Sequence, residues 1–433
     1  ASGDYASIYY NPAAMVRSAS SVGGGISLTF DGLRLLLADR PEGYDIPDLG
    51  VASPAIASDL RLRDREDVEG TGTTVNVMIG ATTSLGVERL RLGFAAMLPV
   101  AGTRSQQSVF PDEREQFYSN SLNFDLLGGR VDHSVVLVAA AYELTDWFAL
   151  GIGLSFMPAA TTDNAVYTDS PVDLSDVDIN VDLGIEGRFR PNAGMLFSPT
   201  ENLRVGLAFR DEQYLRVSGT TEVQVRGLQD QEDYPFYQPL DLTIQYSPRQ
   251  FALGLSWEDD SFVVGTDFTF YQWSRYPDHH GERAGFDDTY SIRVGGEYEF
   301  AEGHILRAGI GWEPTPVPHQ SGRTNYVDNS RVLASLGSGH EIPFGDSALK
   351  ISWHIQLHFL LENTELKAFS DNPPECEEGV TVVCDEVPDD TIDRSTGQPY
   401  PEAAGLQTGN PGFPGWTSGG WMASSGVEVS WEF

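Results

Sequence analysis

Period-two alternation, carried through a long series of segments, is the feature that most limits what this chain can become. In Leu349–Leu361 the residues Leu349, Ile351, Trp353, Ile355, Leu357, Phe359 and Leu361 share one face. Lys350, Ser352, His354, Gln356 and His358 share the other. That period belongs to a strand. The run is longer than the usual globular strand, and one of its faces is wholly apolar. Further up the chain, Val177, Ile179, Val181, Leu183 and Ile185 oppose Asp176, Asp178, Asn180, Asp182, Glu186 and Arg188. One such strand would suit a soluble sandwich. Many of them, with charged faces this dense, indicate lipid outside and water inside.

About fourteen strands are expected on this pattern. They include Ser20–Ala38, Thr73–Leu85, Glu88–Val100, Asn202–Val225, Leu240–Trp257, Ala348–Leu361 and a last one at Gly420–Phe433. Their connections alternate in length. Tight turns fall at Gly86-Val87, Thr145-Asp146, Ser198–Glu201, Glu258–Asp260, Ala301–Gly303 and Gly345-Asp346. Long polar loops fall between them, at Asp39–Gly72, Ala101–Arg130, Asp163–Pro171, Arg226–Pro239, Pro277–Asp288, Pro314–Asn329 and Glu362–Gly419. Short periplasmic turns and long outer loops are the sorting of an outer-membrane barrel. The fold class is therefore all-β, a transmembrane antiparallel β-barrel, and its expected place is the outer membrane of a Gram-negative bacterium. Glu362–Gly419, the longest loop, should face the exterior.

Composition agrees. Mean hydropathy is −0.24, and no window of about 18 apolar residues exists, so a transmembrane helix is excluded. Barrel strands average near neutral because lipid-facing and lumen-facing residues alternate. The formal charge of −36, with 27 Lys and Arg against 63 Asp and Glu, repels nucleic acid. The two cysteines, Cys376 and Cys384, lie close together in one polar loop. An oxidising compartment favours a local disulfide; two free thiols are the alternative. Asp385, Asp389, Asp390 and Asp393 are weak candidates for Ca²⁺, against a solvated acidic loop, because they lack the EF-hand spacing. No Gly-x-Ser-x-Gly elbow or His-Glu-x-x-His occurs and the eight histidines are scattered. No enzyme activity, catalytic residue or cofactor is expected.

The first residues break the pattern. In Ala1–Met15, ASGDYASIYYNPAAM, small and polar residues run into Tyr9-Tyr10 and then Asn11-Pro12-Ala13. Pro12 fixes φ and lacks an N–H, and Asn11 before it is pushed from the helical region. A compact, non-extended knot results, placed as a plug at the mouth of the barrel. Residues 1–18 form this plug and 19–433 the barrel. No signal peptide is visible, so a leader and part of the plug are expected to precede residue 1.

Asn11-Pro12-Ala13 resembles the hatch motif of the FadL family of outer-membrane transporters for fatty acids and other hydrophobic compounds. The likeness continues through most strands. DTYSIRVGGEYEF, LRAGIGWEPTPVPHQ and DNSRVLASLGSG resemble, in order, the family's tyrosine-containing strand, Arg-x-Gly strand with Pro-Val-Pro loop, and Asp-x-x-Arg. The residues concerned are Tyr290, Arg307, Gly309, Pro316, Val317, Pro318, Asp328 and Arg331. RPNAGMLFSPTENLRVGLAFR and FTFYQWSRY are similar to further family strands, and the chain closes on Trp431-Glu432-Phe433, as such barrels commonly do.

The resemblance implies passive uptake of hydrophobic molecules, most of all long-chain fatty acids. They would be captured in an apolar pocket, then released sideways into lipid when the hatch moves. A secretion or assembly adaptor is the alternative use of such a barrel. In the family the third strand carries a kink that opens the wall, and Pro99, Val100, Ala101 and Gly102 are the candidates here; a strand end entering a loop is the other reading. Asn11 is expected to clamp the hatch against this gap. The lumen-facing arginines Arg91, Arg188, Arg204, Arg293 and Arg307 either brace the interior with Asp182, Glu186, Glu297 and Glu428 or meet an anionic head group. Expected partners are the hydrophobic ligand, outer-membrane lipid with lipopolysaccharide, and divalent cations on the acidic loops. A monomer is favoured, with protein partners left open.

Overall fold

A computed structural model describes residues 5–38, 68–101, 135–168, 177–225, 235–277, 283–321, 326–369, 382–383, 392–393, 398–399 and 415–433. In chain order the strands are β1 (Ser21–Leu37), β2 (Val68–Thr83), β3 (Leu90–Ala101), β4 (Val135–Thr145), β5 (Phe148–Thr168) and β6 (Val177–Phe197). They continue with β7 (Leu203–Arg210), β8 (Gln213–Val225), β9 (Phe236–Ser247), β10 (Arg249–Glu258), β11 (Phe262–Gln272) and β12 (Thr289–Ala301). Next come β13 (His304–Glu313), β14 (Arg331–Phe344) and β15 (Ser347–Leu366). Four two-residue pieces follow, β16 (Ala368–Phe369), β17 (Val382–Val383), β18 (Ile392–Asp393) and β19 (Gln398–Pro399), before β20 (Gly415–Glu432).

Fourteen of these close an antiparallel barrel. The ring runs β1 to β7, then β10 to β15, then β20, and β20 returns to β1 with Ser21 opposite Glu432 and Leu37 opposite Trp416. Closure gives each of these strands a neighbour on both sides; in lipid an unpaired backbone group costs several kcal/mol. In two of the tight turns glycine supplies the left-handed residue: Gly303 and Gly345 sit at φ 72° and 67°. No described helix is long and apolar enough to cross a membrane.

The side-chain pattern is inverted relative to a soluble protein. On β1, Ile26, Leu28 and Phe30 are exposed while Ser27, Thr29 and Asp31 are buried. Trp353, Ile355, Phe359 and Leu361 on β15 are likewise exposed. A continuous apolar exterior around a polar interior is what lipid outside requires. At the tight-turn end stand Trp147, Trp257, Phe262, Tyr298, Phe300, Phe344, Trp431 and Phe433, all exposed. They form the aromatic belt of one membrane interface.

Two expected strands divide. Asn202–Val225 is β7 and β8, broken at Asp211-Glu212, and Leu240–Trp257 is the end of β9 followed by β10. The hairpin β8–β9 leaves the ring, and β10 takes its place beside β7. Arg210–Gln213 are all polar, but Phe209 before them and Leu215 and Val217 after them share one parity, so periodicity alone reads one long strand there. The last strand begins at Gly415, earlier than Gly420, with Gly420 at φ 126° inside it.

Candidate functional site

The N-terminal segment lies on the inner wall. A single helical turn, α1 (Ser7–Tyr10), is followed by a 3₁₀ turn, Pro12–Arg17. Asn11 between them is extended, at φ −157° and ψ 103°. Its Oδ1 accepts from the Ala13 N–H at 3.0 Å, capping the second turn, in which Pro12 comes first. Its Nδ2 donates to the Met195 carbonyl of β6, also at 3.0 Å. The expected clamp on Pro99–Gly102 is therefore corrected: Asn11 grips β6.

Glycines make the room. A Cβ on Gly194 would lie 1.9 Å from Asn11 Oδ1, and one on Gly151 would lie 2.3 Å from the Ala13 nitrogen. A Cβ on Gly93 would meet Ile8 at 2.5 Å, and one on Gly80 would meet the Tyr5 ring at 2.2 Å. Ile8 and Met15, both fully buried, pack on Ala95, Leu137, Ala139 and Ala141 of β3 and β4. Ala13 packs on Ala149 and Leu196. Small residues on five neighbouring strands thus form a shallow seat, and larger side chains of the N-terminal segment fill it.

Arginines fasten the segment. The Arg210 guanidinium donates to the Tyr9 carbonyl and covers the Tyr9 ring at 3.6 Å. Arg17 pairs with Glu258 at 3.0 Å, and Arg204 reaches the same carboxylate at 3.5 Å. Arg91 Nε donates to the Ser18 carbonyl at 2.9 Å. Beside the Arg17 pair a cleft of about 310 Å³ is lined by Val16, Trp147, Phe148 and Arg204, among others.

Higher in the lumen, Arg293 lies 3.5 Å from both Glu313 and the Tyr271 hydroxyl. Arg307 pairs with Glu297 at 3.2 Å. The expected Arg307 partner is present, while Glu258 and Glu313 are partners that parity alone did not single out. The Arg188 side chain, with Asp182 and Glu186, lies outside the described residues.

Among the described residues, the ladders on either side of β4 stop short of the ends of β3 and β5. Asn76 of β2 faces Pro99, but Val75 faces Ala101, so Val100 is an extra, bulged residue. The β3–β4 ladder ends at Met97 opposite Val135, and the β4–β5 ladder ends at Phe156. Beyond that level β5 still runs twelve residues, to Thr168. There its edge takes β8 in parallel register, Ala160 opposite Val217 through Thr168 opposite Val225. Among the described residues, Leu98–Ala101 pair with β2 alone. Gly102 lies outside the described residues.

Aromatic residues gather at the long-loop end. Tyr246, Tyr271, Trp273, Tyr276 and Phe286 are buried together, with Tyr214, Val317 and Tyr326 against them. Tyr276 stacks on Phe286 at 4.7 Å. At its rim Arg275 pairs with Glu212 at 2.6 Å. That hydrogen bond and charge hold the Glu212 carboxyl below its ordinary range and push Arg275 up. The Pro316–Pro318 loop delivers Val317 to this cluster. Asp328 and Arg331 form a buried ion pair at 3.3 Å, and Thr315 donates to Asp328. Tyr290 instead faces lipid, against Phe268 and Phe270. Gly309 lies where a Cβ would meet Ser335 Oγ at 3.0 Å. The signal for this cluster was present in Tyr271-Gln-Trp-Ser-Arg-Tyr276, but alternation does not show that two loops fold over it.

Cys376, Cys384, Asp385, Asp389 and Asp390 lie outside the described residues, and Asp393 sits in β18. Among the described residues no group of three or more His, Cys, Asp and Glu could hold a metal ion.

Known proteins share this architecture. A crystal structure of a Pseudomonas aeruginosa FadL homologue superposes over 100% of this chain and 94% of that one, with TM-score 0.57 and 15% identity. A TodX monoaromatic hydrocarbon channel with its S2 deleted gives TM-score 0.53 at 11% identity, over 99% and 94%. In sequence, the chain is 26% identical over 106 residues to an alkane uptake protein A of Marinobacter nauticus. It is 22% identical over 172 residues to a long-chain fatty acid transport protein of Escherichia coli O157:H7. These matches span 21% and 36% of this chain, and only 24% and 39% of those relatives' lengths. The family model described as "Outer membrane protein transport protein (OMPP1/FadL/TodX)" matches residues 128–351, just over half of the chain. Together with its closed membrane barrel, this places the chain in that family of outer-membrane transport proteins.

Proposed function

We propose that this barrel takes up hydrophobic molecules passively across the outer membrane, with long-chain fatty acids as the main cargo. An apolar solute crosses a lipopolysaccharide layer poorly and a watery pore poorly. A barrel solves this by receiving the solute among aromatic side chains and releasing it sideways into lipid. The aromatic cluster under the outer loops suits the receiving step, since flat rings offer large apolar area at little entropic cost. Arg293, about 40% exposed and held by one carboxylate and one hydroxyl, keeps guanidinium donors for a carboxylate head group.

One observation carries the exit step. Among the described residues the β3–β4 ladder stops at Met97, and the N-terminal segment packs on that same strand, at Gly93 and Ala95. Hatch displacement and a change in the wall are thereby mechanically adjacent. Alkane uptake and fatty acid transport in the relatives' names are the chemistry this route would serve.

The test is whole-cell uptake of a radiolabelled long-chain fatty acid and of an n-alkane. Deleting Val100 removes the extra residue and should bring β2 and β3 into continuous register. Uptake of both compounds should fall severalfold with the barrel present at parental levels in the membrane. Arg293→Gln should lower fatty acid uptake and spare the alkane. Parental rates in the Val100 deletion would sink the lateral route.

A further inference from the structure

Two histidines on the outer wall have no part in this route. His304 opens β13 and His340 lies directly across from it on β14. They share parity with Leu306, Ile310, Leu336 and Ile342, which are all exposed on the lipid face. Both stand at the tight-turn end, within the aromatic belt, and the Phe300 ring stacks on His304 at 5.9 Å.

Their geometry is convergent. The two Nδ1 atoms are 3.0 Å apart, and the rings meet at 64°. Ser338 Oγ lies 3.1 Å from His340 Nε2. With Ser338 accepting from Nε2–H, His340 presents its Nδ1 lone pair toward His304. Metal-binding histidines are commonly oriented in this way, one nitrogen on the ion and the other on an outer partner.

We propose that His304 and His340 form a two-histidine chelate for a divalent transition-metal ion, with Cu²⁺ and Ni²⁺ preferred over Zn²⁺. The bite decides the preference. At metal–nitrogen distances of about 2.0–2.1 Å, nitrogens 3.0 Å apart subtend about 94° at the ion. That is the cis angle of a square-planar or octahedral ion; a tetrahedral ion wants roughly 3.3 Å between the nitrogens. In the metal-free pair the Nδ1 proton of His304 is donated to His340. Binding moves it through solvent to His304 Nε2, so the proton count is unchanged. No third protein ligand completes the cluster among the described residues, so water or a lipid phosphate oxygen takes the remaining positions. The ion would tie β13 to β14 at the membrane interface.

The full chain in detergent micelles at neutral pH is titrated with CuCl₂, and the bound ion is read by electron paramagnetic resonance. The parent should bind one equivalent with the hyperfine pattern of two imidazole nitrogens. His304→Asn and His340→Asn should each weaken that binding by about tenfold or more and remove the two-nitrogen pattern. His279-His280 is another imidazole pair in this chain, so the readout is the difference between parent and variants. Heat-modifiable migration on a gel reports that each variant is folded. Cu²⁺ should also raise the melting temperature of the parent and leave the double variant unmoved. An unchanged spectrum and affinity in the double variant, or no binding by the parent, would show a hydrogen-bonded pair and nothing more.

Discussion

Gly194→Ala places one methyl group where the hatch cap sits. Gly194 lies in a regular part of β6 and is not among the glycines with positive φ, so alanine suits its backbone. The new Cβ would stand 1.9 Å from Asn11 Oδ1, and the Pro12 ring carbon is 3.0 Å away. Asn11 cannot swing aside cheaply, because Oδ1 caps Ala13 and Nδ2 holds the Met195 carbonyl. Displacing it forfeits both bonds. At roughly 0.5–1.5 kcal/mol each, the hatch loses about 2 kcal/mol against its displaced state. That is about a thirtyfold rise in the open fraction. The barrel ladder is untouched, so the loss should be local.

Hydrogen exchange at the Ala13 amide reads that fraction directly, and its rate should rise about thirtyfold at constant pH. Asn11→Ala removes the oxygen that clashes. In that background Gly194→Ala should cost little, because only the Pro12 contact remains and it can yield by a few tenths of an ångström. The double-mutant cycle should therefore show coupling close to the whole effect. Equal costs in both backgrounds would refute the reasoning, and so would an unmoved Ala13 exchange rate.

Three further outcomes are expected. Glu258→Gln leaves Arg17 and Arg204 facing each other without their shared carboxylate, so trypsin should cut after Arg17 severalfold faster; an unchanged rate removes the latch. Arg275 depresses the Glu212 pKa, so the stability contributed by this pair is fully present above the ordinary glutamate value near 4.5 and is lost as pH falls through the lowered value. Tryptophan fluorescence of Trp273 during acid titration should show that step in the parent, and Glu212→Gln should abolish it. Non-reducing peptide mass spectrometry should find Cys376 joined to Cys384, which closes a short loop and stabilises it by roughly 2–3 kcal/mol; two alkylated thiols would remove the pairing.

The barrel was legible in the chain because its physics is periodic. Lipid on one side and water on the other force alternation, and Ile26, Phe30, Ile355 and Phe359 all face the side that parity assigns. Loop lengths sorted the two ends for the same reason. What alternation does not encode is pairing. Phe209 of β7 and Leu215 and Val217 of β8 share one parity across the polar run Arg210–Gln213, so the hairpin read as part of the wall. The Asn11-Pro12-Ala13 knot was visible, yet its seat was not. Gly151 and Gly194 look like ordinary strand glycines until the register places both beneath Asn11–Ala13. Arg293 was singled out by parity, but Glu313 and the Tyr271 hydroxyl come from neighbouring strands, and register alone brings them near.

The height at which the described β4 ladder stops bears on where a released molecule would go. β4 has eleven residues, Val135–Thr145, and a tilted strand of about 9–11 residues spans the hydrocarbon. Measured from the tight turns, the β4 ladder therefore ends near the outer margin of the apolar layer. β5 has 21 residues, so its outer half stands above that margin, and there its edge is covered by β8. This division follows from solvation. Below Met97 every backbone group needs a protein partner, because lipid offers none. Above it, the described edge of β5 pairs with β8. An opening placed at this boundary breaks few ladder bonds and meets acyl chains at its lower lip. On the proposed route, cargo leaving beside Leu98 and Val100, both exposed on β3, would enter the outer leaflet. The Arg17–Glu258 pair at the tight-turn end would not need to break for that step.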